Sequence, residues 1–297
     1  MVGPLRLTGS PVGLIVGDYV GSQVLIVNPA TLEITDAIPI YTDETLLERG
    51  KPLSVGWMND RLYVGEEKTG LIQVFVQREE KRIRRMGGET VGWTQISASF
   101  IAVPVIQPSA IVADESLGLL FVASKGEKAV LVLDETGSVI RSIGPGSTVP
   151  LGNPQAIALD RVGKRVFVSD DGIEDCNWMG CSRLSAVQVY DYDGVPLGTI
   201  NGDTGNAGYK FSRAQGVALD AAGNLYLADS YRHEVMVFSE PSANTWNALG
   251  ILGGKGAAPG QLVLPTGVMT DSTMTRIYVA NTMRGRIEEF TLEDLVQ

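Results

Sequence analysis

The residues best equipped for chemistry cluster between Asp170 and Cys181, in the stretch DDGIEDCNWMGC. It holds the only two cysteines, Cys176 and Cys181, and four acids, Asp170, Asp171, Glu174 and Asp175. Two cysteines in one short excursion suggest a disulfide closing a small loop and holding Asn177, Trp178 and Met179 outward. Two free thiols and half a metal site are the competing readings. The spacing is wider than zinc ligands usually show, and no second pair exists. Four carboxylates on one loop could hold calcium, the one cofactor their oxygens suit, although the regular spacing of a calcium loop is missing. Otherwise neither a metal nor a cofactor is expected, and no catalytic residue is assigned. His233, the single histidine, reads as a solvated surface residue. No nucleophile elbow is visible.

What must position these residues is a repeat. Six times a short apolar run is followed by a turn and a second run ending in a small or acidic residue. The clearest copies are PQAIALDRVGKRVFVSD and PTGVMTDSTMTRIYVAN. The copies end at Asp18, Glu66, Ser124, Asp170, Asp229 and Asn281, 46 to 59 residues apart. A strand-rich period of that length predicts a propeller. Third strands such as AVLVLD and EVMVF follow, then turns and fourth strands such as VIRSIG. The fold class is therefore all-β: a six-bladed β-propeller of four-stranded antiparallel blades in one domain, residues 1–297. The blades run approximately 4–40, 52–88, 108–144, 154–202, 214–253 and 265–292. After RIEEF only TLEDLVQ remains, so the last blade is expected to be incomplete, with an exposed edge. A chain trimmed from a larger protein or assembly is the other reading.

Small residues alternate along the first strands, as at Ala156/Ala158 and Gly216/Ala218, because inner strands crowd the axis; Arg6 is the exception there. The acids recurring after strand one (Asp114, Asp160, Asp220, Asp271) and ending strand two serve the blade, by capping turns and strand ends. The long connections, including 41–51, 88–107, 144–153, 201–213 and 253–264, share one face with the cysteine excursion. That face is the expected working surface. At its centre, the residues following each proline position include Ser109, Gln155, Gln215 and Thr266. A ligand at the channel mouth would meet them; alternatively they bond strand ends and channel water. Trp178, Met179, Trp93 and Tyr231 could make an aromatic contact patch, or fold back over neighbouring loops.

The stretches GGKGAAPGQLVLPTGV and NGDTGNAGYKFSRAQGVALDAAGNLYLADSYRHEVMVF strongly resemble the NHL repeat, a propeller family. The pattern is a Gly-rich lead, Phe or Leu, two residues, Pro, any residue, Gly, then a strand pair ending in Ala-Asp. The match is good in the last two copies and weakest in the first two. The resemblance implies a fold rather than an activity, since such propellers include binders, sensors and relatives of enzymes. With channel-side positions small or apolar apart from Arg6, the reading is a non-catalytic scaffold binding a protein or cell-envelope partner through the long-loop face. The alternative is a hydrolase or lyase of the six-bladed, lactonase-like type with a metal at the channel mouth. The amidating lyases of this class need several histidines, which one His233 does not supply.

The net charge of −10 disfavours nucleic acid as a partner, because phosphate binding needs a basic footprint. The basic run REEKRIRRMGG (78–88) reads as an exposed outer strand. No apolar run reaches the roughly 18 residues of a membrane span. No signal peptide is visible in this chain. The expected disulfide alone argues for an extracytoplasmic location, periplasmic or extracellular.

Overall fold

The computed structural model describes residues 1–43, 46–80, 90–97, 105–177, 180–201, 211–271 and 275–296. Strands rich in Val, Ile, Leu and Tyr fold into six consecutive antiparallel meanders. The first blade is β1 (Pro4–Ser10), β2 (Gly13–Asp18), β3 (Gln23–Val27) and β4 (Ile34–Pro39). The second is β5 (Pro52–Met58), β6 (Arg61–Glu66), β7 (Ile72–Glu80) and β8 (Thr90–Ser97). The third is β9 (Pro108–Asp114), β10 (Leu119–Ser124), β11 (Ala129–Leu133) and β12 (Val139–Ile143). The fourth is β13 (Pro154–Asp160), β14 (Arg165–Asn177), β15 (Gly180–Asp191) and β16 (Pro196–Ile200). The fifth is β17 (Ala214–Leu219), β18 (Leu225–Asp229), β19 (Glu234–Ser242) and β20 (Thr245–Gly253). The last has three strands, β21 (Pro265–Thr270), β22 (Ile277–Asn281) and β23 (Arg286–Phe290).

Each first strand lies beside the next, and β1 meets β21 to close the ring. Apolar side chains fill the space between successive blades. Ile15 and Val24 pack with Val55 and Val64 between the first two blades. Leu14 and Val16 pack with Tyr278 and Ile287 across the closure. The inner strands approach so closely that a Cβ on Gly216 would lie 2.8 Å from the Thr266 carbonyl oxygen. One on Gly267 would lie 2.8 Å from that of Leu5. Only glycine fits there without moving backbone.

Three features depart from the sequence reading. The outer strand of the second blade is Thr90–Ser97, a segment read as loop. A ladder from Val74↔Ser97 to Glu80↔Thr90 holds it, so this blade runs past residue 88. Of the basic run, 81–88 lies outside the described residues. The cysteine excursion is a regular hairpin: after a bulge between Asp170 and Ile173, the β14–β15 ladder continues to Asn177↔Gly180. Finally, after β23 the chain makes a short turn, capped by Thr291 and Asp294, and crosses to the fifth blade. There Val296 exchanges two backbone hydrogen bonds of 2.9 Å with Ile251 of β20. The final residues thus cover a neighbouring edge, while among the described residues β23 pairs only with β22. Among the described residues, no helix is long and apolar enough to cross a membrane.

Candidate functional site at the channel mouth

The residue ending each second strand has one job. Asp170 accepts hydrogen bonds from the backbone N–H groups of Gly152 (2.6 Å), Asn153 (2.7 Å) and Gly172 (2.9 Å). Asp229 accepts from Ser212 (2.6 Å), Arg213 (2.9 Å) and Arg232 (3.2 Å). Asp18 takes Gly3 (2.7 Å) and Val2 (3.1 Å), Glu66 takes Lys51 (2.7 Å), and Asn281 takes Val263 (2.9 Å). Each side chain is fully buried and ties the segment entering the blade to the strand two–three turn. Burial pushes the Asp170 carboxyl up, and its backbone donors only partly counter this. For Asp18 burial pushes up too, but donors from Gly3, Gln23, Val2 and Gly21 outweigh it and the net shift is downward. Three of the acids after strand one cap turns: Asp160 accepts from the Val162 (3.1 Å) and Gly163 (2.8 Å) N–H groups, Asp220 from that of Asn224 (2.8 Å) and Asp271 from that of Thr275 (3.0 Å). Asp114 instead accepts from the side chains of Ser116, Lys164 and Tyr192.

On the axis, Arg6 closes the channel. Its Nε donates to the Ser109 carbonyl (2.9 Å), Nη1 to those of Thr266 (2.8 Å) and Leu5 (3.2 Å), and Nη2 to that of Gln155 (2.9 Å). One guanidinium thus joins four blades through carbonyls at the strand starts. Burial lowers its pKa to about 10, against an upward pull from Asp171, so it stays charged at neutral pH.

Above this plug lie the polar residues that follow each proline position. Ser109, Gln155, Gln215 and Thr266 are all buried. The Ser109 hydroxyl donates to the Pro154 carbonyl (2.8 Å), and that of Thr266 bonds Thr282 (2.6 Å). Gln155 and Gln215 donate to opposite oxygens of Asp171, at 2.8 and 3.1 Å. Asn153 (2.5 Å) and Arg213 (3.0 Å) complete that carboxylate's shell. The Gln155 Oε1 is buried with no partner among the described residues.

Apart from Asp171, sequence reasoning missed the next ring out. The residue immediately after each strand-two end differs in every blade: Tyr19, Glu67, Lys125, Asp171, Ser230 and Thr282. Tyr19 donates its hydroxyl to Glu67. The Lys125 amine has no hydrogen-bond or ion-pair partner among the described residues. Burial, and then Arg6, lower its pKa to about 8. The available signal was that variation itself, one position beyond a strictly repeated one.

The model of the NHL repeat matches residues 211–238, which include the strand pair β17–β18 and the start of β19. The chain is a six-bladed β-propeller that carries an NHL repeat in its fifth blade. No curated protein sequence matches it. Among solved structures, a chain of Kuenenia stuttgartiensis Hydrazine Synthase aligns over 97% of this chain and 95% of its own, with a TM-score of 0.60 and 14% identity. At that identity the likeness is one of fold.

Of the aromatic residues considered for a contact patch, Tyr231 lies on the long-loop face. Tyr231 is 56% exposed; the Arg213 guanidinium stacks 5.0 Å from its ring centroid and donates to its hydroxyl (2.7 Å). Trp93 is not on that face. It belongs to β8 and meets Trp57 edge-on at 6.2 Å in the core between the first two blades, since the supposed loop is a strand. Trp178 and Met179 lie outside the described residues. His233 is less free than expected: its Nδ1 accepts from the Leu264 N–H (3.1 Å).

The cysteine hairpin rises from the same face, with Cys176 directly opposite Cys181 in the ladder. Of the four acids considered for calcium, Asp170 and Asp171 are engaged by the donors named above. The side chains of Glu174 and Asp175 lie outside the described residues. No group of three His, Cys, Asp or Glu side chains suited to a metal occurs among the described residues.

Proposed function

We propose that this propeller is a non-catalytic scaffold that holds a protein or cell-envelope partner on its long-loop face. One observation carries the reading: the Arg6 guanidinium occupies the axis where a lactonase-like enzyme would need its metal. A fixed buried cation on four carbonyls takes up the oxygens a divalent ion would use and repels that ion. Around this plug the face offers contact surface, from the braced Tyr231 to the protruding β14–β15 hairpin. Extracytoplasmic location belongs to the same reading. Directly opposed cross-strand residues lie within reach of a disulfide, so Cys176 and Cys181 are proposed as a bridge that stiffens the hairpin.

A photo-crosslinking residue placed at Tyr231 tests the partner side, with one at Val162, 96% exposed on the short-turn face, as the control. In native extract, one discrete adduct from Tyr231 and none from Val162 is expected. Adducts from Val162 alone, or from neither, would refute a long-loop scaffold. Intact mass with and without reductant should differ by two protons if the bridge exists. Tight retention of calcium that survives dialysis would instead favour the metal enzyme.

A further inference from the structure

On the other side of Arg6 lies a cavity of about 840 Å³ that opens toward the short turns. Such a volume suits a small ligand. Its walls are the alternating inner-strand residues, among them Ala110, Ala156, Ala158, Ala218 and Met269. From Arg6 to Ser10, along β1, the channel is about 13 Å deep at the usual rise of a strand. Arg6 closes its far end.

That end wall carries a cation that no anion bonds directly among the described residues. Arg6 is only 6% exposed, and a buried cation is costly unless paired with an anion. No carboxylate bonds it among the described residues: the four partners are carbonyl oxygens, and Asp171 is bound by Asn153, Gln155, Arg213 and Gln215. A guanidinium has five N–H groups, so one hydrogen on Nη2 is left over. The carboxylates at the wide opening are already engaged. Asp114 pairs with Lys164 (3.2 Å), Glu115 accepts from the Asn59 N–H (3.3 Å), and Asp271 accepts from Thr275 (3.0 Å).

We propose that this blind channel binds a straight-chain alkyl carboxylate, with the carboxylate at Arg6 and the chain along the alanine wall. Apolar walls supply affinity for the chain, and the cation selects the charged head. The site lies on the face opposite the proposed partner surface, so either reading can fail without the other.

Calorimetric titration with octanoate and with octan-1-ol separates head from chain. The wild-type propeller should bind octanoate at least tenfold more tightly than octan-1-ol. Arg6→Met should abolish that preference and Arg6→Lys should keep part of it. Ala158→Phe, which fills the channel and leaves Arg6 in place, should weaken both ligands at least tenfold. Circular dichroism reports whether each variant folds; if Arg6→Met does not, the octanoate preference and Ala158→Phe still decide. Equal affinity for the two ligands, octanoate binding undiminished by Ala158→Phe, or no measurable octanoate binding would each overturn the proposal.

Discussion

Two neighbouring positions in every blade have opposite characters. The last residue of strand two is acidic or small and polar in all six copies, buried, and bonded to the backbone. The residue after it is Tyr19, Glu67, Lys125, Asp171, Ser230 or Thr282, and these gather around the channel mouth. A residue demanded by every blade serves the blade. A residue free to differ faces the one place where the six blades are not equivalent, the common axis. Sameness in a repeat protein therefore locates the structural joints, and difference locates the candidate site.

Breaking a joint should cost most. Asp229→Ala leaves three backbone N–H groups without their acceptor in a dry setting, at about 3 kcal/mol. Urea unfolding should show that loss, whereas Tyr19→Phe one ring out, which removes only the bond to Glu67, should cost under about 1 kcal/mol. Similar losses at both positions would erase the distinction. Arg6→Met comes next. It strands four carbonyls at the axis, although water can replace some of the lost donors, so about 2 kcal/mol is expected. The same titration should show whether the blades still unfold as one unit.

The fold was legible because its signals repeat. An apolar run, a turn and a small or acidic stop recur six times, led by proline in five copies, and each copy corrects its neighbours. The fourth strand of the second blade was not legible, because Thr90–Ser97 lies beyond a basic run that interrupts the pattern. Its core contribution, Trp93 against Trp57, resembles an exposed anchor until the pairing is known. The mouth was half legible. Ser109, Gln155, Gln215 and Thr266 follow from their place after the proline position. Lys125 and Arg213 do not, since a lysine after a serine and an arginine in a loop become notable only when the ring brings them near Arg6 and Asp171. The cysteine hairpin stayed ambiguous because strand and loop differ there by pairing alone, and a bulge at Asp170–Ile173 hides the period.

The outer edge sharpens the contrast from another side. Removing residues 292–297 deletes the two hydrogen bonds between Ile251 and Val296 and the packing of Leu295 on the core between the last two blades. The expected cost is about 1–2 kcal/mol. The truncated chain should also self-associate more readily, since β20 then joins β23 as an open edge. Light scattering at matched concentration checks this.

Lys125 gives the smallest effect and the most specific one. Its pKa of about 8 in the folded chain lies below the ordinary 10.5, chiefly through burial. Between those values the unfolded chain holds the extra proton, so stability rises with pH across that window. Below pH 8 the amine is charged in both states, and its burial beside Arg6 opposes folding. Lys125→Met should therefore stabilise the propeller at neutral pH by on the order of 1 kcal/mol after solvent screening. It should also flatten the pH dependence that the wild type shows above pH 8. Urea midpoints at pH 7 and at about pH 9.5 check both statements. A wild type and variant that run parallel across the window would mean that the lysine is solvated, and that variation at this position reflects an exposed surface rather than a site.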